Sequence, residues 1–139
     1  MLLRLGESIR TNNFSDAELT MKLQRLWKTA PPIRPMYVCY FHYAHRFTED
    51  YSVAFGVEDP NGTFEISETS YIPYTIPLKE QLGFWKAWQQ VWEDECSGRI
   101  IRHYTIDYEK YEADGTATLY IAGKKIPHAQ SSCPKKAIG

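Results

Sequence analysis

Asp107-Tyr108-Glu109-Lys110-Tyr111-Glu112-Ala113-Asp114-Gly115-Thr116-Ala117-Thr118-Leu119-Tyr120-Ile121 is the stretch on which the fold turns. Segments rich in aromatic and β-branched residues flank Asp114-Gly115, and that dipeptide supplies the positive φ a tight hairpin needs. The pattern predicts antiparallel strands over Arg99–Glu112 and Ala117–Gly123. With Asp114-Gly115 as a two-residue loop, Tyr111 faces Thr118 and Glu109 faces Tyr120. Opposed residues share a face, so Glu109, Tyr111, Thr118 and Tyr120 are expected to cluster.

Upstream, Trp85, Trp88, Val91 and Trp92 form an apolar stripe at helical spacing, predicting a helix from about Lys79 to Cys96 that Gly98 ends. Tyr71–Leu78 reads as a strand, with Pro73 and Pro77 pointing to an edge position or irregular ends. Asp59-Pro60-Asn61-Gly62 is a turn, and Tyr37–Tyr43 and Tyr51–Val57 read as an antiparallel pair. Ser15-Asp16-Ala17-Glu18 reads as a capping box opening a helix whose stripe is Leu19, Leu23, Leu26, Trp27 and Ala30; Pro31-Pro32 stops it. Leu3, Leu5 and Ile9 mark a strand within Leu2–Thr11.

Sliding the chain by 65 residues lays Leu23–Trp27 on Trp88–Trp92, Met36–Tyr43 on Ile101–Tyr108, and Phe55 on Tyr120. The predicted fold is therefore α+β: a tandem β-α-β-β repeat, with half-units of about 1–62 and 63–124 related by a pseudo-two-fold, one antiparallel sheet, two main helices and a tail over 125–139. A cleft near the pseudo-axis would carry a single carboxylate, because Ala44 falls where the second half has Glu109.

The chain has 139 residues, 43% hydrophobic and 24% charged, the range of one globular domain. Sixteen Lys+Arg against seventeen Asp+Glu give a net charge of −1 without a basic block, which argues against nucleic acid or an anionic membrane as partner. Met1–Glu7 lacks the apolar core of a signal peptide, and Cys39, Cys96 and Cys133 are spaced like reduced thiols, so a cytoplasmic chain is expected. Four Trp, ten Tyr and six Phe exceed the packing needs of so small a core, which suggests that rings bind something. Trp27 and Trp92 read as core, whereas Trp85 and Trp88 divide between packing and ligand. His42-Tyr43-Ala44-His45 near Glu49 and Asp50 lacks metal-ligand spacing, and neither a phosphate loop nor a nucleophile elbow is present, so no metal or cofactor is expected. Cys39 reads as a small buried hydrophobe and Asp107 as a structural hydrogen-bonding group.

Taken in order, Arg10-Thr11-Asn12-Asn13, Leu26-Trp27, Tyr51-x-Val53-x-Phe55-Gly56-Val57, Ile72-Pro73-Tyr74, the Trp-bearing helix, Asp107–Tyr111 and Leu119-Tyr120-Ile121 resemble the GyrI-like effector-binding domains. These are the ligand-sensing modules of AraC- and MerR-type multidrug regulators; the resemblance is closer to stand-alone integron-associated and YdeE-like members and covers about residues 2–124. It implies a cleft for bulky, flat or lipophilic cations, with Glu109 meeting the charge and Tyr74 and Tyr120 among the rings. Tyr111, Trp85, Trp88 and Phe55 complete the candidate ligand-binding set.

The expectation is thus a binding protein for aromatic or lipophilic cations, linked to drug sensing or sequestration, rather than an enzyme. Two alternatives stand beside it. One is a GyrI-like hydrolase of electrophilic compounds using Glu109 with Trp85 or Trp88; the other is a protein-binding inhibitor.

Overall fold

The computed structural model of the protein describes residues 1–45 and 49–127. In chain order the elements are β1 (Leu2–Leu5), β2 (Ile9–Thr11), α1 (Leu19–Trp27), β3 (Met36–Phe41), β4 (Tyr51–Glu58), β5 (Phe64–Glu65), β6 (Tyr71–Thr75), α2 (Gly83–Cys96), β7 (Ile100–Arg102), β8 (Asp107–Tyr111) and β9 (Ala117–Lys125). The strands make an antiparallel sheet in the order β5-β1-β4-β3-β8-β9-β6, with β2 also on β4 and β7 on β9. The class is the α+β arrangement of two helices on a large antiparallel sheet.

Alternation along β3 sorts the two faces. Met36, Val38 and Tyr40 point to the helices: Leu26 of α1 packs with Met36 and Val38, and α2 packs against Tyr40, Tyr111 and Leu119. Tyr37, Cys39 and Phe41 point the other way, into a second layer with Leu3 and Ile66. α2 is firmly seated, burying Ala87, Trp88, Val91 and Trp92, whereas α1 buries Leu26 alone. Trp92 is core, as its spacing predicts. Trp27 is not: at the last position of α1 it is 44% exposed, its ring edge-on to Phe55 and Tyr111.

Several expectations are corrected. The capping box does not form. α1 begins at Leu19, and the Asp16 carboxylate accepts the Glu18 N–H, the Thr11 hydroxyl and the Lys22 ammonium, which hold its pKa down at about 2. α2 starts at Gly83 rather than Lys79, because the chain first turns on the Pro77 carbonyl, which accepts from Glu80 N–H. The first strand divides into β1 and β2, for Leu5 faces Gly56 while Ile9 faces Val53: four steps on one strand against three on its partner, a bulge. The span Arg99–Glu112 also divides, into β7 and β8, with Tyr104 at positive φ between them.

The hairpin register is shifted by one. Tyr108 faces Tyr120 and Glu109 faces Leu119, while Glu112 N–H donates to Thr116 O. The loop is therefore Ala113-Asp114-Gly115, with Gly115 at φ +87, the conformation of a three-residue hairpin rather than a two-residue one. A one-residue slip moves every side chain to the other face. Tyr120 consequently lies away from Glu109, stacked on Tyr108 with centroids 5.0 Å apart.

Cys39 is a buried free thiol; Cys96 is disulfide-bonded, against the expectation of reduced thiols. Cys133 and most of the 125–139 tail lie outside the described residues. No helix among the described residues is long and apolar enough to cross a membrane.

Candidate functional site

Glu109 sits on β8 between β3 and β9, near the middle of the sheet, facing α2. It is 1% exposed. Three side chains donate to its carboxylate: Tyr40 Oη and Trp88 Nε1 to Oε2 at 2.7 and 2.9 Å, and Tyr111 Oη to Oε1 at 2.7 Å. Burial drives its pKa up, and the three hydrogen bonds pull it down by less, so the net shift is upward from the ordinary 4.5. The same burial, with Glu109 beside them, raises the phenol pKa values of Tyr40 and Tyr111, which keeps both hydroxyls protonated as donors.

A cavity of about 40 Å³ opens beside the carboxylate, walled by Tyr40, Trp88, Trp85, Trp27 and Leu23. As it stands the cavity is small, with room for a few waters. Outside it, a groove of about 740 Å³ runs between α1 and the start of α2, and Leu23, Trp27, Phe84 and Trp85 line both spaces. The four shared residues are the partition. Gly83 places it: an added Cβ would meet the Pro77 carbonyl oxygen at 2.0 Å, so only glycine lets α2 begin here with Phe84 and Trp85 facing α1.

A second buried polar group borders the cavity. Arg102 Nη2 donates to Asp107 Oδ2 at 2.7 Å, and Asp107 also accepts the Tyr43 hydroxyl at 2.6 Å and the Ala122 N–H at 2.8 Å. Asp107 is thus the structural hydrogen-bonding group its sequence position suggests. The guanidinium lies over the Tyr104 ring, 4.3 Å from its centroid, and near Trp88 at 5.7 Å. Burial works most strongly against its charge, but Asp107, Tyr43, Tyr104 and Glu95 together more than offset this, and the pKa rises.

Of the residues singled out from sequence, Glu109, Tyr111, Trp88 and Trp85 come together here. Phe55 stands behind Trp27, with ring centroids 4.9 Å apart, and does not line the cavity. Tyr74 shares the helix-facing side of the sheet, but its hydroxyl is bonded to Asp94 at 2.9 Å, in a separate depression with Arg99. Tyr120 is on the opposite face. Sequence reasoning missed Tyr40, which reaches Glu109 only through the β3–β8 pairing that no turn signals. It also missed Arg102, whose signal was present: alternation in Ile100-Ile101-Arg102 puts the arginine beside buried Ile100 while Ile101 is 49% exposed. Among the described residues no group of three or more His, Cys, Asp or Glu is placed to hold a metal ion.

Fold and site together define an α+β domain that keeps one carboxyl in a small ring-walled cavity under an apolar groove. A crystal structure from the mobile metagenome of Vibrio cholerae, the integron cassette protein VCH_CASS2, shares this fold with a TM-score of 0.65. The two are 24% identical over 88% of this chain and 90% of that one. No protein-family model and no curated protein matches the sequence.

Proposed function

We propose that the protein binds lipophilic or aromatic organic cations, as a sensor or sequestering protein rather than an enzyme. The guest's apolar body lies in the groove between α1 and α2, and its charged end reaches Glu109 once the Trp27–Trp85 partition parts. The observation that carries this reading is a fully buried carboxyl, walled by rings, directly beneath an open apolar groove. The resemblance to GyrI-like effector-binding domains points the same way. So does the strand order, in which β1-β4-β3 meets β8-β9-β6 as two matching half-units would.

Burying an ionised carboxylate costs several kcal/mol, which raises the pKa of Glu109 above that of a carboxyl in water. A cation reverses that cost by taking the place of the proton. Each ring facing it adds about 0.5–2 kcal/mol, and apolar burial adds about 25 cal/mol per Å². Rings and one charge constrain guest shape weakly, which favours breadth over selectivity. Parting the wall by moving α1 disturbs less of the core than moving α2 would, because α1 fully buries Leu26 where α2 buries Ala87, Trp88, Val91 and Trp92.

The test is a tryptophan-fluorescence titration with (4-butylbenzyl)trimethylammonium and with uncharged 4-butylbenzyl alcohol. The cation is expected to bind at least about tenfold more tightly. No response to the cation, or equal affinity for the alcohol, overturns the reading.

A further inference from the structure

We infer that Arg102 makes the site prefer cations that also carry a neutral oxygen acceptor, such as a ketone or amide carbonyl, over purely hydrocarbon cations. This rests on the reading of Glu109 as the charge anchor and extends it to a second anchor. The Arg102 side chain is 1% exposed and borders the same cavity. Yet its Nε and Nη1 have no hydrogen-bond partner among the described residues. Nη1 stands 3.7 Å from Glu95 Oε1, an ion pair too long for a hydrogen bond, and both Glu95 oxygens already accept the Tyr104 hydroxyl. Buried N–H donors left without acceptors are costly, and a guest that supplies one recovers that cost.

Charge decides which kind of acceptor fits. Arg102 is already neutralised by Asp107 at 2.7 Å, with Glu95 beyond it, so an incoming carboxylate or phosphate would face two resident acidic groups. Both donors are closed off from the cavity's open space as it stands, so a guest must displace their surroundings to reach them; a carbonyl oxygen that does so accepts from them without adding charge. Position decides how a guest could use both anchors. Trp88 touches each of them, donating to Glu109 through Nε1 at 2.9 Å while the guanidinium lies 5.7 Å from its ring centroid. A guest laid along that indole, with an ammonium at one end and an oxygen at the other, addresses both.

The experiment compares 4-(aminomethyl)acetophenone with 4-ethylbenzylamine, equal in charge and nearly equal in size, and adds the uncharged pair 4-methylacetophenone and 4-ethyltoluene. Binding is read by tryptophan fluorescence and by the ¹⁵Nε–H resonance of Arg102. The acetyl member of the charged pair is expected to bind about tenfold more tightly and to shift that resonance, with the ethyl member leaving it in place. In Arg102→Lys, which keeps a charge for Asp107 but removes the Nε–H, the two amines should bind alike; the resonance test holds in the wild type even if that variant does not fold. Equal affinity of the two amines, or an unmoved resonance, overturns the inference while leaving Glu109 as the cation anchor. If neither amine binds but the neutral ketone is preferred over its hydrocarbon partner, the cation reading falls and the Arg102 anchor stands. Should no ketone, charged or neutral, be preferred, the second anchor is refuted.

Discussion

Exchanging Glu109 for glutamine removes a charge and almost nothing else. Oε2 now accepts from Tyr40 and Trp88, and the glutamine carbonyl can accept from both. The amide nitrogen takes the place of Oε1 and donates to the Tyr111 hydroxyl, which turns from donor to acceptor. All three contacts survive, and the residual cost of ionising a buried carboxyl disappears. Glu109→Gln is therefore expected to leave stability unchanged or raise it by up to about 1 kcal/mol, a melting shift of roughly 0–5 °C. Affinity moves the other way. A hydrogen bond or contact to an ionised group is worth about 1.5–3 kcal/mol, against about 1 for a neutral one. Losing that difference, about 0.5–2 kcal/mol, weakens binding of a benzylic cation by about 2- to 30-fold. Circular-dichroism melts at neutral pH and a tryptophan-fluorescence titration read the two effects. The reasoning is refuted by a variant that binds the cation as tightly as wild type. It is equally refuted by one that loses more than about 2 kcal/mol, which would mean the carboxylate is an ionised structural partner.

The sign of the pH response follows from the raised pKa of Glu109. The folded state keeps a proton the unfolded chain releases near 4.5, so the contribution of Glu109 to stability should fall as pH rises from there through the folded value. Urea melts of wild type minus Glu109→Gln across that window isolate it. Cation affinity should climb over the same window with up to one proton released per guest, measured by calorimetry in buffers of different ionisation enthalpy; a flat profile contradicts the site. Gly83→Ala drives a methyl into the Pro77 carbonyl and should cost about 1–3 kcal/mol by urea denaturation, with weakened guest binding because Phe84 and Trp85 shift with it. Tyr120→Ala should cost about 1–3 kcal/mol through its lost stacking on Tyr108, yet leave guest affinity within about twofold. A tenfold loss of affinity there would mean that the face assignment from the observed register is wrong.

What could be read from sequence was whatever depends on neighbours along the chain. The stripes of α1 and α2, the end at Gly98 and the hairpin around Asp114-Gly115 are local, and each lies where its pattern put it, whereas α1 ends at Trp27, short of Ala30 and of the stop expected at Pro31-Pro32. The misreadings come from choices a local pattern leaves degenerate. Asp-Gly serves both a two-residue and a three-residue hairpin, and one residue separates a Tyr120 facing Glu109 from a Tyr120 behind the sheet. Tyr40 is 69 residues from Glu109, and its hydrogen bond depends on a strand pairing with no connecting turn. Arg102 was legible in part, since alternation marked it as inward, but what it would meet there was not.

The anchor and its surroundings are built from different materials. Glu109 belongs to a strand laced to a neighbour on each side, while the partition above it comes from Leu23 and Trp27 of α1 and the first turn of α2. Such an arrangement has a fixed floor and an adjustable roof. If the proposed cation site is right, residues such as Leu23, Trp27 and Phe84 can be exchanged to admit guests of other outlines without moving the acid beneath, and variation in guest range should concentrate on the helices and spare the strands.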